Sequence, residues 1–369
     1  MRNKAGGWRL EAGDSELEAG ASSASGAPRA GESGTVAALT ERELIRRIQA
    51  QLPAPPPWML VGIGDDAAVV EPERNRAEVF SVDALIEGVH FDRAFTPPRA
   101  IGHRALAANL SDLAAMGAAP RLALLSLALP ATLSAEDFDA LVGGVAALAS
   151  AHRLHVAGGN LTRSPGPLVV DITVVGTVKR RQALKRSGAR AGDDIYVTSF
   201  VGSAAAGLQM LRAQHHENSS SASTVSSVVE RCTQRYLYPE PRIRMGLMLS
   251  RNRAATACMD LSDGLADAVR QVAEASGVGA IVDAALLPID ADARAWFEAR
   301  GGDAAIEAIS GGDDYELLAA VRPKLRNRLE AARSGVPLTR VGAFTADRAL
   351  VLRHAGRDAP LPPGYSHFR

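Results

Sequence analysis

The chain has 369 residues, 47% hydrophobic and 22% charged, and its 41 basic side chains balance 41 acidic ones. This is a soluble, globular composition, long enough for two domains with a core each, and zero net charge without a Lys/Arg run argues against a nucleic-acid footprint. Cys232 and Cys258 are the only cysteines and form no CxxC, which argues against a disulfide framework or a zinc site.

No apolar run reaches the ~18 residues of a membrane span, and the N-terminus lacks a secretory apolar core. The expected location is the cytoplasm. Residues 1–36 are rich in Gly, Ala, Ser and Glu without apolar periodicity, and a disordered tail is expected there. Folded structure is expected to begin at Thr40-Glu41-Arg42-Glu43, a capping-box pattern ahead of Leu44, Ile45 and Ile48. The prolines of Pro53–Pro57 end that helix. Two apolar runs then flank Gly64-Asp65-Asp66. Adjacent Asp residues in an extended chain point to opposite sides, so one at most faces a shared site. A turn carrying two solvated carboxylates fits the same pattern.

The stretch Phe80 to Met116 carries the strongest chemical hint. Phe80-Ser81-Val82-Asp83 reads as extended, with Ser81 and Asp83 on one face. Arg99 to Met116 reads as a helix with Ile101, Ala105, Leu106, Leu110 and Leu113 on its apolar side, stopped by Gly117. Asn109 and Asp112 lie one turn apart on it. A strand ending in oxygen ligands beside a helix presenting a carboxylate suits a hard cation such as magnesium. A solvated helix face with a surface Asp is the alternative.

Leu122–Leu129 and Leu168–Val178 read as strands, and Ser134–His152 as a helix capped by Ser134. Gly158-Gly159-Asn160 lies between them, where glycines let backbone amides approach a phosphate or simply make a turn. Lys179–Ala191, with Arg186-Ser187-Gly188, is the expected domain connection, placing an N-terminal domain over 37–178 and a C-terminal one over 179–369. The second half opens with strand Asp194–Ser199, a turn at Gly202-Ser203 and an Ala/Leu helix. His215–Ser227 reads as a flexible, Ser-rich surface insertion. Strand Ala255–Met259 feeds Asp260-Leu261-Ser262-Asp263-Gly264, where Ser262 or Asp263 can cap the following helix. After a short strand at Ala280–Val282, Gly311-Gly312-Asp313-Asp314-Tyr315 repeats glycine-then-carboxylate before another apolar strand.

Carboxylates thus recur beside glycines and element ends in both halves, while Walker A, EF-hand, Gly-x-Ser-x-Gly and His-Glu-x-x-His patterns are missing. Such a set fits magnesium held together with substrate phosphates. Gly62–Ala67, Ser81–Asp83, Asn109–Gly117, Asp260–Leu265 and Ser310–Leu317 resemble the motifs of the thiamine-monophosphate kinase family, over a span from about Leu39 to Phe368. The wider superfamily includes aminoimidazole ribonucleotide synthetase, selenophosphate synthetase and a hydrogenase-maturation protein.

The resemblance implies an α/β (α+β) two-domain fold of the aminoimidazole ribonucleotide synthetase type. Its N-terminal sheet would pair with its mate in a homodimer, and a C-terminal α/β domain would follow. It implies ATP-dependent conversion of thiamine monophosphate to thiamine diphosphate. Carried over by motif, Asp66, Ser81, Val82 (through its carbonyl), Asp83, Asp112, Asp260 and Asp263 would hold several magnesium ions, with Asp66, Asp83, Asp112 and Asp260 central to catalysis. Gly159, Asn160, Arg186 and Ser262 would contact ATP, and His90, Asp313 and Tyr365 would line the thiamine phosphate site. Asn160 stands where the family usually has a metal-binding Asp, which puts one metal subsite in question, and Asp313 stands where Glu is frequent. Neither nucleic acid nor membrane is expected as a partner.

The acceptor in such a reaction is an ionised phosphate, so direct in-line transfer needs charge neutralisation more than a strong base. Two other functions share the motif set: another ATP-dependent synthesis of the superfamily, and a nucleotide- and magnesium-binding regulatory protein without turnover. The lack of an N-terminal Cys near the glycine-rich region argues against the selenophosphate branch.

Overall fold

The computed structural model describes residues 34–217, 227–332 and 335–365. Of the expected tail only 34–36 fall within this range, and of the Ser-rich stretch only 215–217 and 227. Helix α1 (Glu41–Gln51) starts as its sequence predicts. The Thr40 hydroxyl accepts from the Glu43 amide at 3.3 Å, and the Glu43 carboxylate accepts from the Thr40 amide at 2.7 Å. The chain joins the fold a few residues earlier than expected, because Thr35 bridges to Ser134 and Val36 is buried. The apolar runs at β1 (Met59–Val61) and β2 (Val69–Val70) pair antiparallel, and Asp65 and Asp66 in the link between them are exposed.

A four-stranded sheet follows, in the order β3 (Arg76–Ile86), β6 (Val169–Lys179), β4 (Ala119–Pro130), β5 (His155–Ser164). β4 and β5 run parallel and the other neighbours antiparallel. Alternation along β3 sends Ser81, Asp83 and Leu85 toward helix α2 (Pro98–Ala115), on which α3 (Ala135–Ala151) packs. Phe80 and Val82 point the other way and stay 65% and 60% exposed. Gly158 and Gly159, read as a turn, lie inside β5. A Cβ on Gly159 would sit 1.8 Å from the Leu125 carbonyl oxygen, so close strand packing accounts for that glycine.

The second half forms a seven-stranded sheet from β7 (Asp194–Thr198), β8 (Ala257–Asp260), β9 (Gly279–Asp283), β10 (Leu317–Val321), β11 (Leu338–Thr345), β12 (Leu350–His354) and β13 (Arg357–Pro360). Its order is β13-β12-β9-β11-β7-β10-β8, with β9 and β12 parallel and the remaining pairs antiparallel. Helices α4 (Ser203–Glu217), α5 (Ser227–Leu237), α6 (Ile243–Asn252), α7 (Leu265–Ser276), α8 (Ala291–Ala299), α9 (Ala304–Ser310) and α10 (Arg326–Ala332) complete it. α7 starts differently from expectation. Its cap residue is Gly264 at φ +94°, with no side-chain cap bond, so neither Ser262 nor Asp263 fills that role.

α2 holds the two sheets together. It packs on β3 and β6, against α3, and across to α6 and β8. The one-sided amphipathic pattern becomes burial nearly all round, as expected for a helix enclosed by neighbours. It stops where predicted, with Gly117 at φ +65° and the Ala118 amide bonded to the Leu113 carbonyl. α2 and α3 touch backbone to backbone. A Cβ added at Gly144 would lie 2.0 Å from the Arg99 carbonyl oxygen, and one at Gly102 would lie 2.0 Å from that of Leu141. Gly144→Ala therefore forces the helices apart and is expected to destabilise the chain by about 2 kcal/mol or more, as overpacking does. Equilibrium denaturation checks this, and an unchanged midpoint would show that the contact yields without cost.

Candidate active site

The site starts from polar groups that α2 carries into an otherwise apolar interior. The Ser111 hydroxyl donates to Asp260 Oδ2 at 2.8 Å, at the end of β8. One residue on, the Asp112 carboxylate accepts from the Ser81 hydroxyl of β3. Asp83 lies two residues beyond Ser81 on the same face of the strand. The carboxylates of Asp83, Asp112 and Asp260 are thereby gathered where the two sheets meet.

Gathering them is electrostatically costly. Burial, then the neighbouring Asp112 and Asp260, push the Asp83 carboxyl up to about 7. Burial and then Asp112 raise Asp260 to about 7 as well, against the opposing pull of the Ser111 hydroxyl and Arg186. Asp112 is also raised by burial, partly offset by Ser81 and Arg186. Among the described residues no three His, Cys, Asp or Glu side chains close a cage around a cation unaided. The donor set is therefore one that a hard cation could share with ligand oxygens, relieving the repulsion as it binds.

The turn after β8 and the loop before β10 complete the wall by main-chain bonding. The Asp313 amide donates to the Ser262 carbonyl at 2.8 Å, and the Tyr315 amide to that of Leu261 at 3.0 Å. The Leu261 amide donates to the Glu316 carbonyl at 2.8 Å, and the Tyr365 amide to the Asp263 carbonyl at 3.1 Å. Asp313 and Tyr315 adopt left-handed backbone, at φ +67° and +48°. The side chains of this run grip separate elements. Asp314 accepts from the amides of Gly202 at 2.7 Å and Ala204 at 3.2 Å, at the start of α4, and burial lifts it to about 8. Glu316 pairs with Arg242 at 2.5 and 2.7 Å and accepts from Thr198 at 2.6 Å, all buried.

These elements enclose a cavity of about 700 Å³. Asp83, Asp112, Asp260, Asp263, Ser262, Arg186, His90, Asp313 and Tyr365 all line it, so most of the motif-derived site residues converge there. Ser81 stands behind Asp112, bonded to it. The Val82 side chain faces outward. Asp66, Gly159 and Asn160 are exposed and do not line the cavity. His90 Nδ1 accepts from the Ile86 amide at 3.1 Å, which leaves its proton on Nε2. Arg186 donates to Gln271 Oε1 at 2.6 Å.

Sequence reasoning missed the apolar and aromatic lining from Phe91, Phe95, Leu208, Tyr236 and Tyr315. It also missed Arg104, which is 1% exposed and lies with its guanidinium carbon 3.9 Å from the centre of the Tyr236 ring. The one available signal was a cation set within the Ala/Leu run of α2.

Comparison with known proteins gives this arrangement its relatives. The family described as AIR synthase related protein, N-terminal domain, matches residues 64–178, and its C-terminal domain counterpart matches 190–355. A protein of Bacillus subtilis (strain 168) named thiamine-monophosphate kinase is 34% identical over 318 residues, covering 84% of this chain and 94% of its own. The crystal structure of thiamine-monophosphate kinase from Stenotrophomonas maltophilia K279a is 38% identical with a TM-score of 0.75, covering 87% of this chain and 98% of that one. AaThiL complexed with AMPPCP and TMP is 29% identical with a TM-score of 0.71, covering 83% and 92%. Sequence identity and fold agree across nearly the full length of these proteins: the chain belongs to the thiamine-monophosphate kinase family.

Proposed function

We propose that the chain transfers the γ-phosphoryl group of ATP directly, in line and with magnesium, to thiamine monophosphate, giving thiamine diphosphate. The observation that carries this reading is the convergence of Asp83, Asp112 and Asp260 near Arg186 in one cavity of a chain of this family. That AaThiL is complexed with AMPPCP and TMP supports a nucleotide and a phosphate ester as the two ligands.

Asp83, Asp112, Asp260 and Asp263 are the residues that would hold magnesium, with Ser81 keeping Asp112 oriented. Magnesium bound there would supply the positive charge that lets two phosphate groups approach each other. Arg186 adds a planar cation able to take phosphate oxygens, and Ser262 a hydroxyl beside it. His90 offers its Nε2–H, while Asp313, Tyr365 and the aromatic lining suit the cationic ring system of thiamine. The acceptor phosphate is ionised near neutral pH, so these residues position and neutralise and none must take a proton. Neither Cys232 nor Cys258 lines the cavity, so no thiol nucleophile stands at the site.

We divide the metal site between the two halves, with Asp83 and Asp112 from residues 37–178 and Asp260 and Asp263 from 179–369, the latter half also supplying Arg186 and Ser262. Among the described residues no helix is long and apolar enough to cross a membrane, and we place the reaction in the cytoplasm. Phe80, Val82 and Leu124, 65%, 60% and 39% exposed, form an apolar outer face on the four-stranded sheet that suits pairing with a second copy. By strand register Asn160 shares that face, so it would reach ATP or metal only beside a paired copy.

Incubation of the purified chain with ATP, magnesium and thiamine monophosphate should yield thiamine diphosphate and ADP in equal amounts by chromatography. ADP alone, or no turnover, would overturn the assignment. Asp112→Asn should lower turnover by roughly a hundredfold or more, while raising the thermal midpoint of the metal-free protein by relieving repulsion at Asp83 and Asp260. Near-normal turnover at moderate magnesium would remove Asp112 from the metal site. Phe80→Glu should convert a dimer to a monomer in light scattering. A wild-type chain that is monomeric at every concentration would end the pairing proposal.

A further inference from the structure

Arg104 lies behind the cavity wall, and what it touches is informative. Its Nη2 is 3.2 Å from Asp313 Oδ1, its Nη1 donates to the Tyr236 carbonyl, and its plane lies over the Tyr236 ring. Asp313 and Tyr236 both line the cavity, whereas Arg104 does not. The Tyr315 hydroxyl also donates to Asp313 Oδ1, at 3.2 Å. Both contacts therefore take the same carboxylate oxygen, and among the described residues none takes Oδ2.

Stability alone does not account for this arginine. Its Nε is buried without a partner. A buried ion pair is often no more stabilising than apolar residues of the same volume. What it does achieve is orientation, since an Asp on the wall of a cavity would otherwise choose among rotamers and lose them on binding. We infer that Arg104 is a positioning residue for substrate binding: stacked on the buried Tyr236 ring, it holds the Asp313 carboxylate with Oδ2 presented to the heteroaromatic cation of thiamine monophosphate. The inference rests on the activity proposed above and deepens it.

Steady-state kinetics of folded Arg104→Met, at saturating ATP and magnesium, provide the test. The KM for thiamine monophosphate should rise about tenfold, with kcat and the KM for ATP changed by less than about threefold. Arg104→Lys, which keeps a cation but loses the fork, should recover part of that loss. In an Asp313→Asn background, Arg104→Met should add less than about twofold, because its main route of action is already gone. An unchanged KM, a fall in kcat alone, or fully multiplicative effects in the double variant would each overturn the inference. If neither Arg104 variant folds, Tyr315→Phe decides, since it removes the other bond to Oδ1. A threefold or larger rise in KM supports the inference, and a KM within about twofold of wild type overturns it. An inactive wild-type chain would instead sink the proposed activity, so the two failures are distinguishable.

Discussion

The constraint on which the structure depends is that α2 is buried on nearly every side yet carries Arg104, Ser111 and Asp112. Buried polar groups need partners, and no single neighbour supplies them all. Ser111 finds Asp260 at the end of β8, Asp112 finds Ser81 on β3, and Arg104 finds Asp313 in the loop before β10. Each bond ties a different element to the same helix. A shift of α2 by one turn would break all three together, so the polar groups set the relative placement of the two sheets while the apolar ones supply the driving force. Asn109 shows the limit of this arrangement. Its amide nitrogen bonds the Ala105 carbonyl at 3.0 Å, and its Oδ1 is buried with no hydrogen-bond partner.

The run from Asp313 to Glu316 answers α2 from the other half. The side chains of Asp313, Asp314 and Glu316 grip α2, the start of α4, and the Arg242–Thr198 pocket, while the main chain bonds the turn after Asp260. Left-handed backbone at Asp313 and Tyr315 lets neighbouring residues diverge in this way, at a conformational cost that the surrounding bonds offset. The same bonding brings Ser262 and Asp263 beside Asp313, so a loop that looks like a turn in sequence becomes one wall of the cavity. Beside it stand carboxylates whose repulsion is sustained by the tight packing of α2 and β3. Packing energy elsewhere thus sustains an arrangement that is unfavourable locally and useful for binding cationic charge.

Much of this was legible in the chain itself. The capping box at Thr40, the helix through Asp112 with its stop at Gly117, the Ser134 cap and the apolar strands follow from periodicity and local hydrogen bonding, and the structure contains them. Ser81 and Asp83 share a face because a strand has a period of two. The motif set also pointed to the family, which comparison with related chains bears out.

What local rules left open, packing decided. Spacing cannot say whether Asp260 meets Asp112, because they lie on elements far apart in sequence that only the contact of α2 with β8 brings together. Nor could it separate Asp66, Gly159 and Asn160 from the other motif residues, since exposure is a property of the assembled sheet. Gly264, not Ser262 or Asp263, caps α7, while those two residues line the cavity. Arg104 is one cation among several in the α2 sequence, and it acquires its partners only where the tertiary structure encloses it. Sequence alone determined the elements and the chemical types of the site. The selection among those types was tertiary, because burial and charge proximity arise only when distant segments share one interior.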